Sequence, residues 1–390
     1  MDTAMPSEPE WRYIDTPAAL QTLCADLRRQ LESQPWLALD TEFIRERTYY
    51  PQLCLLQVGT ATSIACVDPL ALEDLEPLLA IIYDPRVTKV FHAAHQDLEI
   101  FYLLRGSVPT PVFDTQLAAP LLGYPNQAGY AALVQKILDI TLNKGHARTD
   151  WSRRPLSEAQ LGYAADDVRY LGQIYIRLRD QLQTEGRLDW LADDFERLSD
   201  PARYVCNPDT AWKRIRASKR LRGRALAIIK VLAAWRETTA RDRDIPRGWV
   251  LRDELICDLA KLAPLTGAEL KQVRGIPARQ LQTFETDVLP LIRSALEQQP
   301  AEHGETPTAP ARLTPEQAAI LEALMAVVHL QALHNNMNPA TLATRKDVER
   351  WLLDPDGDST VMNSWRREMI GNQLKAMLNG QRQLRIHNQR

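Results

Sequence analysis

Apolar and polar positions follow two rhythms along the first half of the chain. TPAALQTLCADLRRQL sets Leu20, Leu23, Leu27 and Leu31 at helical spacing behind Pro17, a residue suited to a first helical turn. WLALDTEF, QLCLLQVG and SIACVD are short apolar runs with brief polar breaks, which predict three strands arranged as an antiparallel meander. LEDLEPLLAIIYD reads as a helix, VTKVFHA as a further strand, and QDLEIFYLLRG as a helix that Gly106 would close as a C-cap. After VFDT the pattern turns helical in TQLAAPLLG and YAALVQKILD. It then crosses the polar loop LNKGHARTDWSRRP and enters a long helical stretch at Ser157. Strands covered by helices imply an α/β domain, placed here at residues 8–200.

Beyond that domain the strand rhythm disappears. A basic helical linker, 201–220, leads to a helical domain at 221–299, and a flexible Pro/Thr/Glu/Ala-rich linker at 300–312 leads to a second helical domain at 313–390. The two helical blocks look like diverged copies. RALAIIKVLAAWRETTARDRD and ILEALMAVVHLQALHNN each precede a turn with a proline, Pro246 or Pro339, and a second, shorter helix.

Composition narrows the class. The chain has 390 residues, 45% of them hydrophobic and 25% charged, as in a soluble globular protein of two or three domains. No apolar run approaches the roughly 20 residues of a membrane span, and MDTAMPSEPEW lacks the apolar core of a secretory signal. Cys24, Cys54, Cys66, Cys206 and Cys257 are scattered and odd in number, which fits a reducing cytoplasm better than a disulfide framework. The net charge of −3 carries no nucleic-acid signature, yet WKRIRASKRLRGR, from Trp212 to Arg224, holds seven basic residues and no acid. It reads either as a solvated face or as a phosphate-tracking patch.

Three short motifs put acid where a packed core should reject it. In LALDTEF, Asp40 and Glu42 follow an apolar strand at i and i+2, so both point to one face. Either the strand has ended and both are solvated, or a cation neutralises them. In FHAAHQDLEIF, Asp97 opens a helix, where an acid is also ordinary dipole stabilisation. His92 and His95 nearby read as structural. In LGYAADDVRYL, Tyr163 and Asp167 stand at i and i+4 on one helical face, while Asp166 points elsewhere.

In order and combination, these motifs resemble the DEDD exonuclease superfamily, in the branch whose third motif reads Tyr-x-x-x-Asp. The resemblance runs from Trp11 to Leu198, and the blocks after Leu221 and Leu313 resemble HRDC-type helical domains. It implies an α/β ribonuclease H-like exonuclease domain, a mixed sheet flanked by helices, followed by two small all-α HRDC-type domains. The implied activity is metal-dependent 3′–5′ exoribonuclease cleavage releasing 5′-mononucleotides, with RNA as partner, tRNA precursors with 3′ extensions above all. The implied cofactors are two divalent cations, Mg²⁺ or Mn²⁺. Asp40 would bridge both, Glu42 and Asp167 would complete the site of the attacking water, Asp97 would help hold the second ion, and Tyr163 would orient the nucleophile. A monomer without membrane attachment, working in the cytoplasm, is expected. Phe43, Tyr49 and Tyr50 are candidate base stackers, and Lys144, Arg153, Arg154, Arg216, Lys219, Arg220 and Arg222 candidate phosphate contacts. A DNA exonuclease and a catalytically spent RNA-binding scaffold are the alternatives. A fused helicase motor is not expected, because the chain has no GxxxxGK[ST] loop.

Overall fold

The computed structural model describes residues 10–142, 145, 149–298 and 313–383. Within these residues the chain folds as two compact units. One gathers 10–43, 53–201 and 313–383, the other 44–52 and 202–298.

The first unit is built on a six-stranded sheet: β1 (Trp11–Ile14), β2 (Trp36–Ile44), β3 (Gln52–Gly59), β4 (Ile64–Val67), β5 (Thr88–Phe91) and β6 (Val112–Asp114), in the order β1-β4-β3-β2-β5-β6. β3 and β4 pair antiparallel, whereas β1–β4, β2–β5 and β5–β6 are parallel, so the sheet is mixed. β4, β3 and β2 lie side by side, as consecutive strands of a meander do. The edge strands β1 and β6 span only four and three residues, too short for alternation to register in the sequence.

Helices cover this sheet. α1 (Pro17–Leu31) starts where the Thr16 side chain accepts from the Ala19 amide, and it buries Leu20, Leu23, Cys24, Leu27 and Leu31, the stripe expected from spacing. α2 (Glu76–Ile82) and α3 (His95–Arg105) follow, α3 ending at Gly106 with φ 68°, the left-handed cap anticipated for it. α4 (Thr115–Ala118) and α5 (Tyr130–Leu138) precede a break before α6 (Glu158–Arg169), whose start is fixed by a reciprocal box between Ser157 and Gln160. α7 (Leu171–Thr184) continues from α6 and lies so close to β2 that a Cβ on Gly172 would fall 2.3 Å from the Trp36 ring. α8 (Ala192–Ser199) closes the α/β part.

Residues 313–383 dock onto this same unit. The Trp190 and Trp365 rings stack at 4.5 Å and 8°, and Arg187 donates to the carbonyls of Leu121 (2.7 Å) and Asn335 (2.8 Å). By length and composition Pro315–His334 is, among the described residues, the one helix that could cross a membrane, contrary to the expectation that no run comes close. It nevertheless buries Leu321, Leu324, Val327, Val328 and Ala332, as a helix of a folded unit does.

In the second unit, α9 (Gly223–Asp242) is followed by the short helix Arg247–Val250 and by Asp253–Leu262. The first unit's C-terminal block repeats this succession in Pro315–His334, Pro339–Leu342 and Arg345–Leu353. The basic segment before α9 forms two 3-10 stretches, Pro208–Arg214 and Arg216–Arg220. Ala211, Ile215 and Ser218 turn inward from them, while Lys213, Arg214, Arg216, Lys219, Arg220, Arg222 and Arg224 are exposed.

Candidate active site

β2 runs apolar and buried from Trp36 to Leu39, then delivers Asp40 and Glu42 to one face of its C-terminal end. α6 presents Tyr163 and Asp167 one turn apart. Asp97 arrives by a tight turn between β5 and α3. There Ala93 sits at φ 62°, a left-handed conformation that costs a residue with a Cβ about 1 kcal/mol or more. Buried Asp114 holds this turn, accepting from the amides of Ala93 (3.1 Å), Ala94 (2.9 Å) and Gln116 (2.8 Å).

Asp40, Glu42 and Asp167 each bring a carboxylate oxygen within 4.8 Å of the others, the geometry of a site for a hard cation. Asp97 stands beside this trio and accepts a 2.6 Å hydrogen bond from the Thr41 hydroxyl. Burial, reinforced by Asp97, Asp167 and Glu42, pushes Asp40 well above the usual carboxylate range. Burial followed by Asp167 and Asp97 lifts Glu42 to about 8. Burial lifts Asp97 to about 7 against the opposing Thr41 hydrogen bond, and burial with Asp166 and Asp97 lifts Asp167 to about 7. The charged neighbours that dominate are themselves acids, so this cluster awaits positive charge from outside the chain. Burial, then Asp167, Glu42 and Asp40, raises the Tyr163 phenol, which therefore stays protonated.

Asp40, Thr41, Glu42, Tyr163 and Asp167 line a cleft of about 400 Å³ together with Phe43, His92, Gln96, Tyr130 and Trp151, while Asp97 lies behind Thr41. The His92 nitrogens lie 2.9 Å from the Thr115 hydroxyl and 3.0 Å from the Ala128 carbonyl, a structural use of both ring atoms. Asp166 is turned aside and accepts from Arg169 at 2.9 Å. Thr41, Asp114, Tyr130 and Trp151 lie outside the sequence reading. A lone Thr, Asp or aromatic carries no spacing signal, and each acts through partners distant in the chain.

Several candidate substrate contacts have other work. Tyr49 is 7% exposed and belongs to the helical unit's core, where its hydroxyl donates to Glu237. Tyr50 packs against that core. Tyr49 is thereby withdrawn from base stacking, while Tyr50 keeps a partly exposed ring. Arg154 does not await a phosphate, because all five of its N–H donors are engaged within the protein. Phe43 does line the cleft. Arg153 is exposed and pairs with Asp150 at 3.1 Å. Lys144 lies outside the described residues. Arg216, Lys219, Arg220 and Arg222 are exposed on the helical unit.

A 3′–5′ exonuclease domain model matches residues 11–183, and an HRDC domain model matches residues 225–292. Fold and site thus define a 3′–5′ exonuclease joined to an HRDC domain. Over 380 residues, 96% of this chain and 95% of the relative, the sequence is 40% identical to ribonuclease D of Acidiphilium cryptum. It is 38% identical over 371 residues to ribonuclease D of Pseudomonas paraeruginosa, covering 94% of this chain and 97% of that one. The crystal structure of Escherichia coli RNase D, an exoribonuclease involved in structured RNA processing, superposes with a TM-score of 0.79 at 33% identity, covering 96% of this chain and all of that one. The chain belongs to the ribonuclease D family and is an exoribonuclease.

Proposed function

We propose that the protein trims RNA 3′ ends by two-metal phosphodiester hydrolysis, with tRNA precursors as its main substrates. The observation that carries this reading is the convergence of three half-buried carboxylates within 4.8 Å of one another, with a fourth, buried Asp97, beside them. An all-oxygen donor set suits Mg²⁺ or Mn²⁺. Asp40 would be shared between the cations, Glu42 and Asp167 would help hold the ion that activates the attacking water, and Asp97, its carboxyl hydrogen-bonded by Thr41, would help hold the other. Bound divalent cations would supply a water of lowered pKa and positive charge at the scissile phosphate.

The protein's own share is positional. Tyr163 remains a phenol and so serves as a hydrogen-bonding orienter of the nucleophile, not as its base. Phe43, near the end of β2, lines the cleft and would stack on the terminal base. Among the described residues all five cysteines are free, which supports a reducing compartment, the cytoplasm. We take the protein to act as a monomer.

A time course on 3′-extended tRNA labelled at its 5′ end tests the whole reading. With Mg²⁺ or Mn²⁺ a ladder shortening one nucleotide at a time is expected, with none in EDTA and much slower trimming of matched single-stranded DNA. Equal trimming of DNA would sink the RNA assignment, and binding without shortening under any metal would sink the catalytic one.

The exposed basic segment before α9 is proposed to track RNA phosphates. Reversing Arg216, Lys219, Arg220 and Arg222 to Glu is expected to weaken RNA binding at least about 10-fold and to flatten its dependence on salt. Binding curves at several salt concentrations decide this, and an unchanged slope removes the patch from the RNA path.

A further inference from the structure

We propose that Arg154 is a positioning residue for Tyr163, acting by fixing the loop that presses Trp151 against the tyrosine ring. The inference rests on the reading of Tyr163 as the group that orients the nucleophile.

Trp151 is 3% exposed, and its ring stacks on Tyr163 with centroids 6.3 Å apart and planes 30° apart. Both rings line the acidic cleft. Trp151 lies in an irregular turn, outside any helix or strand, so no ladder of backbone hydrogen bonds holds it in place. Arg154 supplies what the turn lacks. Its Nη1 donates to the carbonyls of Trp151 (2.7 Å) and Arg153 (2.9 Å). Its Nε and Nη2 donate to the two oxygens of Asp68 at 2.5 and 2.7 Å, and Nη2 donates again to the Cys54 carbonyl at 2.7 Å.

The far end of this clamp is rigid. Asp68 follows β4 directly, is 1% exposed, and also accepts from the Tyr13 hydroxyl and the Leu70 amide. Burial opposes its charge, but Arg154 and Tyr13 outweigh burial and hold its carboxyl below the usual range, so it is ionised at neutral pH. Cys54 lies in β3. One guanidinium therefore ties the Trp151 turn to two strands of the sheet. Lysine, with three donors and no planar fork, cannot make this set of contacts.

The consequence is catalytic because the Trp151 ring lies directly against Tyr163 in the cleft. A tyrosine has a free χ1 and χ2, and the Trp151 ring limits where the hydroxyl can go. Misplacing an orienting group by about 1 Å costs a reaction about 10²-fold. The clamp thus explains why this loop arginine spends its donors on protein contacts instead of on RNA.

The test is a kinetic cycle on the full chain with 3′-extended tRNA and Mg²⁺. Arg154→Lys, Trp151→Phe and Tyr163→Phe are measured singly, and the first two again in the Tyr163→Phe background. Arg154→Lys is expected to lower kcat about 10-fold or more with KM little changed. That loss is expected to shrink below about 2-fold once Tyr163 has lost its hydroxyl, since coupled residues do not add. An equal loss in both backgrounds would show a merely structural role, and a loss carried by KM would show a phosphate contact; each overturns the clamp. Trp151→Phe reads the same coupling without touching the buried ion pair, so the cycle survives if Arg154→Lys fails to fold. A fully active Tyr163→Phe overturns the reading of Tyr163 and the clamp with it, whereas a Tyr163→Phe loss beside a fully active Arg154→Lys overturns the clamp alone.

Discussion

Asp40→Asn is expected to cut exonuclease activity by about 10³-fold or more while making the metal-free protein more stable. The two effects have one cause. Asp40 sits half-buried among Glu42, Asp97 and Asp167, and each carboxyl suppresses ionisation of its neighbours. Their raised pKa values mean that the folded state holds protons the unfolded chain has lost. Unfolded carboxyls titrate near about 4, and in the fold Asp97 and Asp167 titrate at about 7 and Glu42 at about 8. Between those limits the folded form binds more protons, so stability falls as pH rises. Asparagine keeps the shape and removes one charge. It should add on the order of 1–2 kcal/mol to the metal-free protein at pH 8, a few degrees in Tm, and flatten the pH slope. Added Mg²⁺ should reverse the order, stabilising the parent far more than the variant, because binding to the folded state alone adds to its stability. Calorimetry in EDTA and in Mg²⁺ at pH 5 and pH 8 measures all four cases. A variant less stable than its parent in EDTA at pH 8 would mean that Asp40 is a structural residue and not part of a charge cluster kept for function.

How much of this was readable in advance depended on the range of each signal. Local rules placed α1 through its leucine stripe and Pro17, the end of α3 through Gly106, and the start of α6 through Ser157. The same rules put Asp40 with Glu42, from the two-residue period of a strand, and Tyr163 with Asp167, from the turn of a helix. Asp97 could be grouped with them only by resemblance, since its place depends on a turn held by Asp114 from another strand. What failed was polar pairing across long separations. Arg154 looks like a loop cation, and nothing near it announces Asp68, 86 residues away. Tyr49 looks like an aromatic beside a catalytic motif, and its partner Glu237 lies 188 residues on. The inclusion of 44–52 in the helical unit, and of 313–383 in the α/β unit, followed from such contacts and not from any periodicity.

Glu237→Ala is expected to destabilise the helical unit by about 3–5 kcal/mol, the largest stability effect of any single change considered. The Glu237 side chain is 1% exposed, in the C-terminal half of α9. Arg247 grips both its oxygens, Nε to Oε2 at 2.5 Å and Nη2 to Oε1 at 2.7 Å, and the Tyr49 hydroxyl donates to Oε1 as well. Arg247 also lies 4.6 Å over the Tyr49 ring. Removing the carboxylate leaves a half-buried guanidinium and a buried phenol without their acceptor, and that desolvation cost exceeds the value of the lost bonds themselves. The pH dependence has the opposite sign to that of the acidic cleft. Burial opposes ionisation of Glu237, yet the bonds from Arg247, Tyr49 and Cys206 outweigh it and bring its pKa down to about 2. Its contribution is therefore complete above the unfolded value of about 4 and is lost as pH falls toward 2. Denaturant unfolding followed by the fluorescence of Trp212, Trp235 and Trp249 reports on this unit. The decisive comparison is Glu237→Leu with Arg247→Met, which replaces the ion pair by apolar volume and removes the orphaned charge. Its stability should return most of the way to the parent's. A double variant as unstable as Glu237→Ala would place the effect in lost packing around α9 rather than in an uncompensated charge.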